Sequence, residues 1–226
     1  MGCENDFDQL RDLTARQLWM ALAAAYQALA ADEAQIRGFG AVVVEADARI
    51  EELESEVKRL RRLLGIDFLT GVPNHYHIMG LLEREIDRSR RSGSTFSLLF
   101  LDIDRFKNVN SNYGHEVGSA VLHELAKRLE AALRLSDALG RYGGEEFIFI
   151  LPNAPRKGAE IAAERLRKLV AAEPFKIGDK SVAVTVSIGV AEFRRTDTAS
   201  SLIEAADMAM LQAKDLGRNR VVSAER

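Results

Sequence analysis

The sequence predicts an α+β fold: a central, mostly antiparallel sheet flanked by helices and preceded by a helical N-terminal segment. Three observations predict it. Residues 66–226 alternate strand and helix signals in the manner of a layered domain of ordinary size. The runs Ala138–Arg141 and Phe147–Leu151 are joined by too few residues for anything but an antiparallel pair. Residues 1–64 contain no proline, and beyond Gly2 their glycines are Gly38 and Gly40, as in a helical stretch with one interruption.

In chain order, residues 7–36 are Ala-rich with Leu18, Leu22, Tyr26 and Leu29 at helical spacing. Gly38-Phe39-Gly40 breaks or bends that helix. From Val43 the apolar positions Val43, Ala46, Ile50, Leu53, Val57, Leu60 and Leu64 are spaced 3, 4, 3, 4, 3, 4. That is a heptad seam, with Glu51, Glu52, Glu54, Lys58, Arg59, Arg61 and Arg62 on its wet sides. It predicts a parallel dimerising coiled coil over about 43–64; the competing reading is an amphipathic helix packed on its own domain. Trp19 reads as a packing residue. Gly65 ends the helix and divides an N-terminal region, 1–64, from a domain over 65–226. In that domain the patterns predict helices over about 74–91, 105–111, 116–134, 155–172 and 200–216. Strands are predicted at 96–103, 138–141, 147–151, 175–177, 182–190 and 220–223.

Composition limits the function classes. The 226 residues carry a formal charge of −3, which leaves no electrostatic footprint for nonspecific nucleic-acid binding. The single cysteine, Cys3, permits no intrachain disulfide, and a cytoplasmic location fits. Leu18–Ala31 is apolar-rich but interrupted by Gln27 and followed by Asp32-Glu33, so no run reaches the length of a membrane span. No basic region precedes it, as a secretion signal would require.

The chemistry concentrates at Arg141-Tyr142-Gly143-Gly144-Glu145-Glu146-Phe147, where two glycines meet two carboxylates between strands. Glycines allow a sharp turn and close approach of a bulky anion. Paired acids beside such a turn suit a divalent cation carrying phosphates. A second acidic site, Asp102-Ile103-Asp104, ends a buried-looking strand, and its two acids face one side while the strand stays regular. Together these carboxylates make a cradle for one or two Mg²⁺ ions; the alternative is solvated acids at a strand end. Lys107, Lys214 and Arg218 are candidate counter-charges for a triphosphate. Lys214 and Arg218 are four apart and can leave one helix end together.

These residues resemble the GGDEF domain of diguanylate cyclases in its Gly-Gly-Glu-Glu-Phe form, over about residues 66–226. Asp67-Phe68-Leu69-Thr70-Gly71-Val72-Pro73-Asn74 is similar to the family's entry motif, and Asp102 to Lys107 to its metal-binding strand. Asn110, Gly114-His115 and Gly118 follow at the family's spacing. Ala205-Ala206-Asp207 through Lys214, then Gly217-Arg218-Asn219, resembles its closing helix. The family's fold resembles the palm of polymerases and adenylyl cyclases. The resemblance implies that two domains meet face to face, each holding one nucleoside triphosphate. Each 3′-hydroxyl then attacks the other nucleotide's α-phosphate, and pyrophosphate leaves. It implies Mg²⁺ (or Mn²⁺) held by Asp102, the Ile103 carbonyl and Glu145. Glu145, with Glu146 nearby, would assist deprotonation; Gly143 and Gly144 would admit the phosphates. Lys107, Lys214 and Arg218 would neutralise them, and Asn110 would read the base. Arg134-Leu135-Ser136-Asp137 resembles the family's Arg-x-x-Asp inhibitory site, with Arg134 and Asp137 holding cyclic dinucleotide product; a helix-end salt bridge is the alternative.

The chain departs from the family pattern at Gly118-Ser119, where the family has Gly-Asp. A carboxylate only accepts hydrogen bonds and matches guanine's N–H donors, whereas serine donates or accepts. Losing such a charged bond weakens guanine binding by roughly 1.5–3 kcal/mol. Ser119 resembles the hybrid promiscuous branch, which takes ATP as well as GTP and makes 3′,3′-cyclic GMP-AMP alongside cyclic di-GMP. Ser111 also replaces an acid and His75 the usual Arg. Strict cyclic di-GMP synthesis, a catalytically inactive dinucleotide receptor or scaffold, and a coiled-coil adaptor are the alternatives.

Overall fold

The computed structural model describes residues 17–20, 44, 46–53, 55–57 and 64–225. The chain divides into two compact units, Met1–Lys58 and Arg59–Arg226. In the first, the described residues are helical, and Leu18, Trp19, Met20, Ile50, Leu53 and Val57 are exposed. Trp19, expected to pack, thus lies open on the single chain. Cys3, Leu22, Tyr26, Leu29, Gly38–Gly40 and the seam positions Val43 and Leu60 lie outside the described residues. Among the described residues no helix is long and apolar enough to cross a membrane.

The second unit is the expected α+β domain. It contains β1 (Phe96–Ile103), β2 (Ala138–Arg141), β3 (Glu146–Pro152), β4 (Phe175–Ile177), β5 (Lys180–Val182), β6 (Val186–Glu192) and β7 (Val221–Ser223). Its helices are α1 (His75–Ser92), α2 (Phe106–Tyr113), α3 (His115–Ala131), α4 (Arg156–Ala172) and α5 (Ala199–Asp215). The main sheet has the order β2-β3-β1-β6-β7. All its pairings are antiparallel except β6–β7, which α5 connects as a crossover. The central strand β1 is buried along its whole length, which is why it reads as an apolar run rather than an alternating one.

Helices cover both faces. Leu99, Leu101, Phe147, Phe149, Val186 and Ile188 pack with α3 and α4 through Val121, Leu125, Leu129, Ala159, Ala163 and Leu166. Phe96, Leu98, Phe100, Ile148 and Ile150 pack with α1 and α5 through Ile78, Leu82, Leu202, Ala206 and Met210. The helix ends follow local chemistry. Asn74 accepts from His77 N at 3.0 Å to begin α1, and Gly93, at φ 73, ends it. Thr198 and Ser201 cap α5 reciprocally.

The expected single strand over 182–190 is two strands in two sheets. β5 turns back on β4 as a separate ribbon, and β6 begins at Val186 against Ile103. The break falls where the chain folds onto Asp104, which accepts from Thr185 Oγ1 and Ser187 Oγ at 2.6 Å each.

Candidate active site

The hairpin tip is closed by Tyr142 N donating to the Glu146 carbonyl at 2.9 Å. Glu146 is the first residue of β3 and lies directly across from Asp102 of β1. Glu145 sits at the turn just before it. The expected need for glycine flexibility is not met here, because neither Gly143 nor Gly144 is among the residues with positive φ. Their smallness is what the site uses. A Cβ on Gly143 would come within 3.2 Å of Glu146 Cδ and nearer still to its Oε2, while space beside Gly144 is open.

Arg141 stiffens this turn. Its Nε and Nη2 donate to the Gly144 carbonyl at 3.1 and 2.6 Å, and Nη1 donates to Asp67 Oδ1 at 2.9 Å. The same Asp67 oxygen accepts from Thr70 N and Oγ1. The entry loop and the acidic turn are therefore joined by one half-buried guanidinium, a role that Arg141's place in the motif did not reveal. His75, where the family has Arg, lies with Nδ1 3.0 Å from the Tyr142 carbonyl and its ring 4.6 Å from the Tyr142 ring.

Lys214, in the last turn of α5, places Nζ 2.8 Å from Asp102 Oδ1. That oxygen is buried, and the ammonium both donates to it and offsets its charge. Burial pushes the Asp102 carboxyl above its usual range, against Lys214 and with help from Asp104 and Asp207. Burial likewise raises Glu145, with Asp102 and Glu146 adding and Lys214 opposing. Glu146 is raised by burial, then by Asp102 and Asp207, and Asp207 is raised by burial against Lys214. Four carboxylates pushed toward protonation around one ammonium form a centre short of positive charge. Asp207 was not expected as a member; its signal is its place seven residues before Lys214, on the same face of α5.

Among the described residues no group of three His, Cys, Asp or Glu side chains converges on a metal position. Mg²⁺ nonetheless suits the donors present, because it is held by one or two carboxylates with water and substrate phosphates completing its shell. The buried Asp102 Oδ1, with Lys214 Nζ as its one close partner at 2.8 Å, is the oxygen such an ion would share. Asp104 is different. Its carboxylate accepts from Thr185, Ser187 and Asn219 N, so this second acid of the strand end ties elements together instead of joining the cradle.

Most of the remaining expected residues lie on other elements. Asn110, on α2, lies against Gly118 of α3. A Cβ on Gly118 would meet Asn110 Cγ at 3.0 Å and Oδ1 nearer still. Ser119 follows Gly118 and is partly buried, and Lys107 is exposed in the first turn of α2. Ile103 closes β1 opposite Val186. Arg218 follows α5 in a left-handed turn with φ 65. A cavity of about 430 Å³ beside α2 is lined by Arg105, Asn108, Tyr113, Val184 and Arg218 among others. Of the expected site residues Asp104 and Arg218 border it, while Asp102, Glu145, Glu146 and Lys214 do not, so this cavity does not mark the acidic centre. Arg134 and Asp137 close a turn between α3 and β2: Arg134 N donates to Asp137 Oδ2 and Asp137 N to the Arg134 carbonyl, both at 3.0 Å. The salt bridge considered for them is not among the described ion pairs. The Arg134 side chain is exposed.

The sheet order, the acids opposed across β1 and β3, and the lysine delivered by α5 define a domain of one recognisable kind. The family model "Diguanylate cyclase, GGDEF domain" matches residues 64–220, and the chain belongs to that family. It is 37% identical over 183 residues to Diguanylate cyclase A of Treponema denticola, covering 79% of this chain and 49% of that protein. The coiled coil and GGDEF domain of DgcB from Caulobacter crescentus, solved with c-di-GMP, superposes with a TM-score of 0.69 at 30% identity. It covers 82% of this chain and 98% of that one. The diguanylate cyclase SiaD from Pseudomonas aeruginosa, solved with its activator SiaC, gives a TM-score of 0.69 at 34% identity over 97% of this chain and 82% of that one. The chain spans less than half the length of the curated relatives it matches.

Proposed function

We propose that the chain is a dinucleotide cyclase that joins two nucleoside triphosphates with loss of two pyrophosphates. The observation that carries this is the pairing of Asp102 with Glu146 across β1 and β3, with Lys214 2.8 Å from Asp102. Asp102, Glu145 and the Ile103 carbonyl would hold Mg²⁺ (or Mn²⁺), which when bound offsets phosphate charge and lowers the pKa of a bound hydroxyl. Glu145, its pKa raised by burial and neighbouring acids, would take the 3′-hydroxyl proton, and Glu146 would shape the field around it. Gly144, with open space beside it, admits the phosphates. Lys107, Lys214 and Arg218 balance their charge.

Each domain carries half of the reacting groups, so two must face each other, and holding them together supplies the proximity term. The exposed seam residues Ile50, Leu53 and Val57 support dimerisation through a coiled coil in the N-terminal region, with the catalytic domain following over 65–226. Substrates of this kind place the work in the cytoplasm. The exposed Arg134, beside the Asp137-capped turn, supports product feedback, because a guanidinium fork suits phosphate and guanine edges.

For the substrate, Asn110 and Ser119 offer a carboxamide and a hydroxyl, each able to donate and accept. They support use of ATP with GTP, giving 3′,3′-cyclic GMP-AMP together with cyclic di-GMP. The names of the curated relatives favour the second reading, a strict cyclic di-GMP synthase. Incubation with GTP, ATP and their mixture, followed by mass spectrometry, separates the two; cyclic di-GMP as the sole product of the mixture rules out mixed synthesis. Ser119→Asp should move the mixture toward cyclic di-GMP. Turnover abolished by Glu145→Gln excludes the receptor reading.

A further inference from the structure

The turn after α5 is built against backbone preference. Gly217, Arg218 and Asn219 have φ values of 117, 65 and 47, and two of these three residues carry side chains that disfavour such values. A conformation of that kind persists only when its surroundings fix it. The fixing groups come from distant parts of the chain. Asn219 N donates to Asp104 Oδ2 at 3.0 Å, and Arg167 Nη1 donates to Asn219 Oδ1 at 2.6 Å. Arg218 N returns to the Ala213 carbonyl at 3.0 Å.

Both outer holders are themselves constrained. Asp104 is 7% exposed and anchored by Thr185 and Ser187. Arg167, on α4, is gripped by both oxygens of Glu164, through Nε at 2.8 Å and Nη2 at 2.7 Å. That fork leaves Nη1 aimed at Asn219 alone. Among the described residues no acid pairs with the Arg218 guanidinium, so the turn presents a cation whose position is set by its backbone and whose charge is uncommitted.

We propose that Arg167 is a positioning residue for the reaction: through Asn219 it fixes the turn from which Arg218 meets the triphosphate, with Asp104 holding the other side. The inference rests on the triphosphate role proposed above for Arg218. It assigns to the Glu164–Arg167 pair a function beyond helix surface pairing, since an i,i+3 pair on α4 alone has no need of a third partner. It also explains why the second acid of β1's end is saturated with donors. Asp104 orients a phosphate-binding turn and leaves the acidic centre to Asp102.

The test is steady-state kinetics in the full chain with GTP and Mg²⁺, on Arg167→Met, Asn219→Gly, their double variant and Arg218→Met. Asn219→Gly removes the side-chain acceptor while glycine accepts the left-handed backbone. Each latch variant should raise the GTP KM about three- to tenfold, the effect of one lost charge-assisted bond acting at a distance, with kcat within about twofold. The double variant should be no worse than either single one, because both cut the same connection. Adding Arg167→Met to Arg218→Met should change nothing further. Additive effects in the double variant, or an undiminished effect of Arg167→Met in the Arg218→Met background, would overturn the latch. So would an unchanged KM in Arg167→Met when Arg218→Met raises it. An unchanged KM in Arg218→Met overturns the phosphate role of Arg218 and this inference with it. Should Arg167→Met fail to fold, Asn219→Gly carries the same expectation alone, and a parental KM there overturns it.

Discussion

Gly189→Ala drives a methyl group into the backbone of α5. Gly189 lies in β6 opposite Phe100 of β1. A Cβ there would sit 3.0 Å from the Ala206 carbonyl carbon and nearer still to that carbonyl's oxygen and to Met210 N. Non-bonded carbon settles at about 3.5–4.0 Å, so α5 must withdraw by roughly 1 Å or more. No rotamer change relieves the clash, because both partners are main chain. Overpacking of a core costs about 1–3 kcal/mol, and a backbone obstruction belongs at the upper end. Three kcal/mol corresponds to a melting temperature lower by about 6–12 °C in a domain of this size. The same withdrawal carries Lys214 away from Asp102, one helical turn beyond Met210, so turnover should fall together with stability. Calorimetry and a urea titration measure the first effect, and initial rates with GTP the second. Gly144→Ala is the control: its Cβ meets nothing within 4 Å, so it should leave the melting temperature within about 2 °C while hindering phosphate entry. A Gly189→Ala protein that melts with its parent would refute the claim that α5 is seated directly on that glycine.

Gly118→Ala pushes the Asn110 carboxamide aside rather than a backbone, so it should cost less than about 1 kcal/mol yet raise the GTP KM several-fold; a large loss of stability with KM intact would contradict this. The raised carboxyls of Asp102, Glu145, Glu146 and Asp207 bind protons in the folded chain that the unfolded chain has already lost. Their contribution therefore weakens stability as pH rises from the ordinary carboxylate range through their raised values. Millimolar Mg²⁺ should then raise the melting temperature more at about pH 7 than at about pH 5, and an equal or larger gain at the lower pH would reject the carboxylate centre as the metal site. Deleting residues 1–58 should make the specific activity depend steeply on protein concentration, since the two domains must then meet by diffusion; an unchanged rate at low concentration would remove dimerisation through that region.

The strands and helices of the domain over 65–226 were legible where burial imposes a period or a solid apolar run, as in β1 and α1. The break between β5 and β6 was not, because Val182 and Val184 are both buried and the apolar pattern runs on through it. What interrupts the strand is Asp104, 81 residues before Thr185 in the chain. The same long-range contact hid the difference between Asp102 and Asp104, which are twins in sequence and opposites in surroundings: one faces a lysine and other acids, the other faces donors. Asp102, Glu145, Glu146 and Lys214 could be named from motif and residue type. Asp207 carried a signal only in its helical spacing to Lys214, and the roles of Arg141 and Arg167 carried none, since their partners are fixed only once the hairpin and α4 are folded against the sheet.

The register that sets Asp102 opposite Glu146 belongs to a run of cross-strand pairs from Phe96↔Pro152 onward, in strands buried on both faces. A slip of one residue would turn Asp102 out of the centre and push an apolar neighbour into it. The acids are thus borne by the least adjustable part of the domain, like the fixed jaw of a vice. In the proposed reaction, control over rate would have little purchase on the jaw itself and would act on whatever is brought up to face it.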